Sequence, residues 1–319
     1  MKADLDSCLA LRLRGLVKSF GEVKAVDGLS LEVRRGEIFG FLGPNGAGKT
    51  TTIRMMCGLL APDSGVVEIH GRRGPSSPST ARESIGLSPQ AIVIWESLTC
   101  REQLEFMGQM YGLDRSSARR RSLCLLEAFG LQEKRNKLGK TLSGGLQRRL
   151  NIALALVHEP ELLFLDEPQA GLDPQSRVLV REFIRGLPPR TTVILTTHDM
   201  EEAEKLSDRV CIIDRGRLLV LDTVARLKSR LGEGDLVEVE IAQDIRTALL
   251  PHVPALQQSG LSLNLGDHTL ILVPDEAALV LPEILQAIKD RGLRLVNLRI
   301  RQKTLEDVFI HLTGRGLRE

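Results

Sequence analysis

Apolar and polar residues alternate between residues 10 and 36, at Leu11 and Leu13 and again at Leu29, Leu31 and Val33. Gly21, Asp27-Gly28 and Gly36 interrupt the alternation, so the stretch predicts short antiparallel strands. EIFGFL (37–42) predicts a strand that runs into a glycine-rich loop and then a helix from Lys49. APDSG turns the chain into a further strand, VVEIH, and RRGPSSPST (72–80) reads as an exposed loop. From Thr99 to Ala155 the period is helical, with turns at YGLDRSS and FGLQEK. Strands return at ELLFLD and TVILTTH, each near a helical segment, which predicts a parallel sheet with crossover helices. RVCIIDRGRLLVL predicts a hairpin that closes this unit.

The polar, glycine-containing segment KSRLGEGD (228–235) reads as a linker. Beyond it, LVEVEI, LSLNL, TLILVP and LRLVNLRI predict strands, while ALVLPEILQAIKDRG and TLEDVFIHLTG predict helices. The expected organisation is a tail over 1–9, a main domain over 10–227 with a helical part at about 91–155, the linker, and a small α+β domain over 236–319. That last domain contains no recognisable catalytic constellation.

Composition narrows the partners. A chain of 319 residues with 42% hydrophobic residues can bury a core without staples, and 3% aromatics leaves few platforms for stacking bare bases. Forty-three basic and 41 acidic residues are interspersed to a net charge of +2, so no nucleic-acid partner is expected. The five cysteines are widely spaced without a CxxC pair and read as apolar residues of a reducing compartment. The N-terminus lacks the apolar run of a secretory signal, and no stretch approaches the ~18 apolar residues of a spanning helix. The chain is therefore expected to be soluble by itself, and to meet a membrane only through a partner.

Chemistry concentrates in GPNGAGKT, residues 43–50, which fits GxxxxGK[ST] between a strand and a helix. In such a P-loop the amides of Gly43, Pro44-flanking Asn45, Gly46, Ala47 and Gly48, continuing to Thr51, surround phosphates. Lys49 adds positive charge on the outer phosphates, and the Thr50 hydroxyl can ligate Mg²⁺. ELLFLDEP supplies the carboxylates such a site needs at the end of a buried strand. Asp166 is placed to hold the Mg²⁺ shell and Glu167 to orient or deprotonate a water. His198 stands where the next strand ends, within expected reach of a γ-phosphate. A second anion-suited helix start is TLSGGLQRRL, where Ser143 could cap and Gly144 and Gly145 allow close approach.

These elements, in this order, resemble the nucleotide-binding subunit of ABC transporters over roughly residues 10–225, with LSGGLQRRL similar to that family's signature. The resemblance implies an α/β P-loop NTPase cassette with a mixed sheet core, an antiparallel β subdomain and a helical subdomain. It assigns Phe20 to stacking on adenine, Gln90 to the metal and to sensing the transmembrane partner, Asp173 in AGLDP to communication across a dimer, and His198 to the switch role. It also implies ATP and Mg²⁺ as cofactors. Two copies, or this chain and a homologous ATPase subunit, would pack head to tail, each ATP being covered by the other subunit's Ser143, Gly144 and Gly145.

Two residues depart from the family pattern: Leu146 stands where the signature has glutamine, and Gln169 where a small hydroxylated residue follows DEP. They bear on rate and coupling. LEDVFIHLTGR (305–315) resembles the ending of ATPase subunits of ABC-2-type exporters, such as drug-resistance and sodium-efflux systems. The expected function is then ATP hydrolysis that powers export through separate membrane permease subunits, from the cytoplasmic face, with a groove near Trp95 receiving a cytoplasmic helix. The alternative is a soluble ABC-type ATPase acting on ribosomes or DNA, against which stand the single cassette and the absence of sustained heptads. A small-molecule kinase or a GTPase would leave the second glycine pair unexplained. ARRRS (118–122) and LRIRQK (298–303) read as solvated edges.

Overall fold

In the computed structural model, which describes residues 8–74, 84–232, 235–249, 264–265, 268–272 and 274–313, the alternating N-terminal stretch forms two twelve-residue strands, β1 (Leu9–Phe20) and β2 (Val23–Arg34). They are long where the sequence predicted short ones. The chain turns at Gly21, but Asp27-Gly28 is a bulge: Leu16 faces Leu29 while Lys18 faces Val26. Gly28 takes φ +72°, a conformation open to glycine, so the strand absorbs an extra residue without ending. β1 also pairs with β4 (Ser64–Ile69), which carries the short β5 (Arg72–Arg73), giving the antiparallel order β2-β1-β4-β5. Residues 75–80 of the expected loop lie outside the described residues, as do 1–7, 233–234, 261–263, 273 and 314–315 of the other expected segments.

A second sheet has the order β10-β9-β3-β8-β7-β6, from β3 (Ile38–Leu42), β6 (Ile85–Ser88), β7 (Leu162–Asp166), β8 (Thr192–Thr197), β9 (Arg209–Asp214) and β10 (Arg217–Thr223). β6, β7, β8, β3 and β9 are parallel, as the strand and helix alternation predicted. β7 and β8 are buried along their whole length, on both faces, which explains the apolar runs they carry, whereas β10 at the edge is mostly half-buried or exposed. On β7, Leu162 and Phe164 enter one core with Leu11, Leu13, Phe39, Phe41 and Ile53. Leu163 and Leu165 enter the other, with Leu104, Leu126, Phe129 and Leu150.

Helix α1 (Lys49–Met56) follows the glycine-rich loop. The helical region contains α2 (Cys100–Met110), α3 (Arg115–Ala128) and α4 (Gly144–Leu156). Thr99 and Glu102 cap α2 reciprocally, and Asp114 caps α3 by accepting from Ser116 N at 2.8 Å and Ser117 N at 3.0 Å. α5 (Pro174–Arg185) and α6 (Met200–Leu206) complete the crossovers.

Contacts divide the chain into two compact units, Met1–Leu221 and Asp222–Glu319. The division precedes residue 228, where the sequence placed the linker, because α7 (Val224–Ser229) packs against α10 (Leu305–Thr313). The second unit also holds β11 (Leu236–Ile241), α8 (Ile245–Ala248), β12 (Asn264–Leu265), β13 (Thr269–Leu272), α9 (Pro274–Asp290) and β14 (Leu295–Arg301), with sheet order β12-β13-β11-β14. Ile284 and Ile288 of α9 cover Val237, Val239, Leu270 and Leu272. By register Leu298 and Ile300 share the face of Val239 and Val237, yet on the edge strand they stay exposed.

Arg301 joins this sheet to α10. Its guanidinium donates to both oxygens of Asp307 at 2.7 Å, and to Glu238 Oε2 at 3.1 Å. Burial pushes the Asp307 carboxyl up, but the hydrogen bonds from Arg301 and Thr304 outweigh it and hold it below its ordinary value. The stabilisation is therefore present above the unfolded pKa of about 4, and is lost as pH falls through the lower folded value. Asp307→Asn should destabilise this unit by about 2 kcal/mol at pH 7, since Arg301 loses its bidentate partner and keeps only Glu238 as a carboxylate partner. Hydrogen exchange in β11 and β14 against pH would measure it, with wild type and variant converging in acid.

Candidate nucleotide site

Three adjacent parallel strands deliver the site. β3 pairs with β8 so that Leu42 faces Thr197, and β8 pairs with β7 so that Thr196 faces Asp166. Their C-terminal ends therefore lie side by side. Gly43, Glu167 and His198 each follow one of them, and in open parallel sheets this is the end that binds ligands.

The loop leaving β3 is built for a backbone to enclose an anion. Gly48, at φ +99°, caps α1, and a Cβ there would lie 2.2 Å from the Ala25 carbonyl oxygen. Only glycine fits, and the α1 N-terminus stays open toward the loop. Lys49 is buried and donates to the carbonyls of Gly43 at 2.7 Å and Pro44 at 3.1 Å. Its Nζ lies 3.7 Å from Glu167 Oε1. Burial lowers the lysine's pKa, while Glu167 and Asp166 pull it back up. A phosphate would satisfy the same ammonium.

A cavity of about 330 Å³ opens beside this loop. It is lined by Phe20, Asn45, Gly46, Gly48, Lys49, Thr50, Thr51, Gln90 and Glu167, among others, so residues from four separate motifs meet there. Phe20 is half exposed at the cavity, with Lys18 Nζ 5.8 Å from its ring centroid.

Asp166 and Glu167 are both buried, but the chain gives them different surroundings. Thr196 Oγ1 donates to Asp166 Oδ1 at 2.5 Å. Glu167 has φ +51°, a left-handed conformation that is strained for a residue with a side chain. Its N–H donates to Thr196 Oγ1 at 3.1 Å and lies 3.2 Å from the Thr196 carbonyl oxygen. The turn separates the two adjacent carboxylates and aims Glu167 at the cavity. His198 Nδ1 lies 3.0 Å from each Glu167 carboxylate oxygen, so against the ionised acid it donates.

Ser143, Gly144 and Gly145 do not line this cavity. Ser143 and Gly144 are exposed at the start of α4, and the Ser143 side chain caps none of that helix's amides. Asp173 caps α5 by accepting from Ser176 N at 3.0 Å and Ser176 Oγ at 2.6 Å. A Cβ on Gly145 would lie 3.8 Å from Asp173 Oδ2, so the signature and the AGLDP turn are neighbours. Leu146 packs against the helical core rather than facing solvent fully, and both amide atoms of Gln169 are buried without a hydrogen-bond partner.

The sequence reading missed Thr196, one of three threonines in its buried strand, with nothing local to single it out. It also missed Arg148 and Asn151, both buried on α4. Arg148 donates to the carbonyls of Pro89 at 3.0 Å and Gln90 at 2.5 Å. The signal for Asn151 was one polar residue within the apolar run from Leu150 to Leu156, whereas Arg148, between Gln147 and Arg149, carried none.

A family model described as ABC transporter matches residues 26–170, and one described as AAA domain matches 138–204. The linearmycin resistance ATP-binding protein LnrL of Bacillus subtilis is 38% identical over 97% of this chain and 100% of its own. The Nod factor export ATP-binding protein I of Ralstonia nicotianae is 39% identical over 99% and 97%. Among solved structures, the dimeric post-hydrolysis state of the ATP-binding cassette MJ0796, bound to ADP and Pi, superposes with a TM-score of 0.62 at 25% identity, covering 67% of this chain and 98% of that one. With the P-loop, the carboxylates and the signature on one such fold, the chain belongs to the ATP-binding subunits of ABC transporters, of the ABC-2 exporter type.

Proposed function

We propose that this ATPase works as one half of a head-to-tail pair that powers export of a substrate through separate membrane permease subunits. The observation that carries this reading is the separation of two phosphate-suited helix starts. One, at Lys49, opens on the cavity with Glu167, while the other, at Ser143, is exposed and lines no part of it. A second copy, or a homologous subunit, brings its Ser143, Gly144 and Gly145 over the nucleotide held by the first.

Within each site the chain's own groups divide the work. Phe20 stacks on the base, the loop from Gly43 to Thr51 encloses the phosphates, and Lys49 neutralises charge growing on the transferred group. Glu167 accepts a proton from the attacking water, His198 holds that carboxylate in place, and Asp173 senses the partner. Thr50, Gln90 and Asp166 offer a hydroxyl, an amide oxygen and a carboxylate, the hard oxygen donors Mg²⁺ prefers. The fit is supported by Asp166 itself: it is buried, and no Lys or Arg nitrogen among the described residues lies within salt-bridge distance. Bound there, Mg²⁺ would neutralise phosphate charge.

No helix among the described residues is long and apolar enough to cross a membrane. A groove of about 400 Å³, lined by Leu59, Leu87, Val93, Trp95, Met107 and Tyr111 among others, supports docking of a permease cytoplasmic helix beside Gln90. Trp95 packs edge-to-face on Phe106 at 5.4 Å, which stiffens its rim. Action on ribosomes or DNA is not favoured, since the full-length relatives bear export and resistance names.

Removing the base in Glu167→Gln should slow turnover by about 10² to 10⁴ and accumulate an ATP-bound dimer. Light scattering with ATP and Mg²⁺ reads it, and a monomer that hydrolyses at full rate would sink the base and the pairing together. Thr196→Val keeps the strand's shape but removes the hydroxyl that orients Asp166. Its turnover should drop by about 10- to 100-fold, with ATP affinity measured without metal nearly unchanged.

A further inference from the structure

Gln90 reaches the cavity from a loop that has little of its own to hold it: it follows the edge strand β6, and its side chain is exposed. The helix that does hold it is α4, the one that begins at the signature. Arg148 is 6% exposed and spends its fork on the carbonyls of Pro89 and Gln90. Among the described residues no carboxylate lies within salt-bridge distance of it, so this buried cation is oriented by two loop carbonyls. One turn on, Asn151 is 4% exposed; its Oδ1 accepts from Val93 N at 3.1 Å and its Nδ2 donates to Ser88 Oγ at 3.0 Å. Two side chains three residues apart on one helix face thus grip the loop before, at and after Gln90.

We propose that Arg148 and Asn151 are positioning residues that lock the Gln90 loop to the signature helix, so that each subunit's Gln90 moves as one body with the Ser143–Gly145 lid it offers its neighbour. This rests on the roles given above to Gln90 and to the signature. A shift of α4 by a fraction of an ångström on closing over the partner's nucleotide is carried by the fork to Gln90, whose carbonyl is one of the two atoms gripped. The same link runs in reverse from the groove at Val93 and Trp95, so an occupant there acts on both Gln90 and the lid.

The test is a double-mutant cycle in the full-length protein, read as ATPase turnover and, without nucleotide, as hydrogen exchange over residues 88–93. Arg148→Ala should lower kcat by about 10- to 100-fold and leave the KM for ATP within about threefold, because the P-loop is untouched. Exchange over 88–93 should quicken while β3 and β7 keep their protection. If Arg148 acts through Gln90, adding Gln90→Ala costs no more than the larger single change. Losses that multiply, or a fully active Gln90→Ala, would overturn the proposal. Arg148→Lys keeps the buried charge but not the fork, and carries the same cycle if the alanine variant does not fold. Wild-type turnover is the reference throughout, so failure of the base assignment shows in Glu167→Gln, and failure of the lock shows here.

Discussion

The parallel pairing of β3, β8 and β7 is the constraint from which the site follows. Leu42 beside Thr197 and Thr196 beside Asp166 bring the glycine loop, two carboxylates and a histidine to one end of the sheet. Side chains alternate between faces along a strand, so a slip of one residue in β7 would exchange Phe164 and Leu165 between two cores. Both faces are apolar, and neither composition alone fixes the register. Thr196 does so chemically, because its hydroxyl meets Asp166 Oδ1 and the Glu167 amide together.

Strain and burial at that end serve the chemistry. Glu167 holds a backbone conformation that costs free energy, and Lys49 is buried with two carbonyls and a carboxylate near it. An ammonium and a carboxylate at 3.7 Å satisfy each other within the chain, so the buried Lys49 is held in place by the protein's own groups. The pre-organisation is cheap because the sheet, not the loop, carries it.

Much of this was legible in the sequence wherever one residue type alone suits the chemistry. The GPNGAGKT loop, the Asp166-Glu167 pair after an apolar strand, and His198 after another could be read directly, and the cavity gathers Phe20, Gln90 and Glu167 from distant positions. Other features were not legible because they depend on pairing. The Asp27-Gly28 pair reads locally as a turn, but opposite an unbroken β1 it becomes a bulge. The helix at Val224–Ser229 carries one buried residue, Leu227, and too little periodicity to announce itself; it forms by packing on α10. Arg148 sits among charged residues as though solvated, and only the close approach of the Gln90 loop gives its guanidinium carbonyls to hold.

Two phosphate-suited helix starts on one chain, only one of them at the cavity, support the proposed pairing, in which each nucleotide would be held by one subunit and covered by another. The direct measurement is ATPase turnover in mixtures of a Ser143→Arg subunit with a Lys49→Ala subunit. Neither variant alone has an intact pair of half-sites, and head-to-tail packing predicts that mixing restores activity through one complete site in the heterodimer. Mixtures as inactive as the separate variants, or a Ser143→Arg protein with wild-type turnover alone, would contradict it.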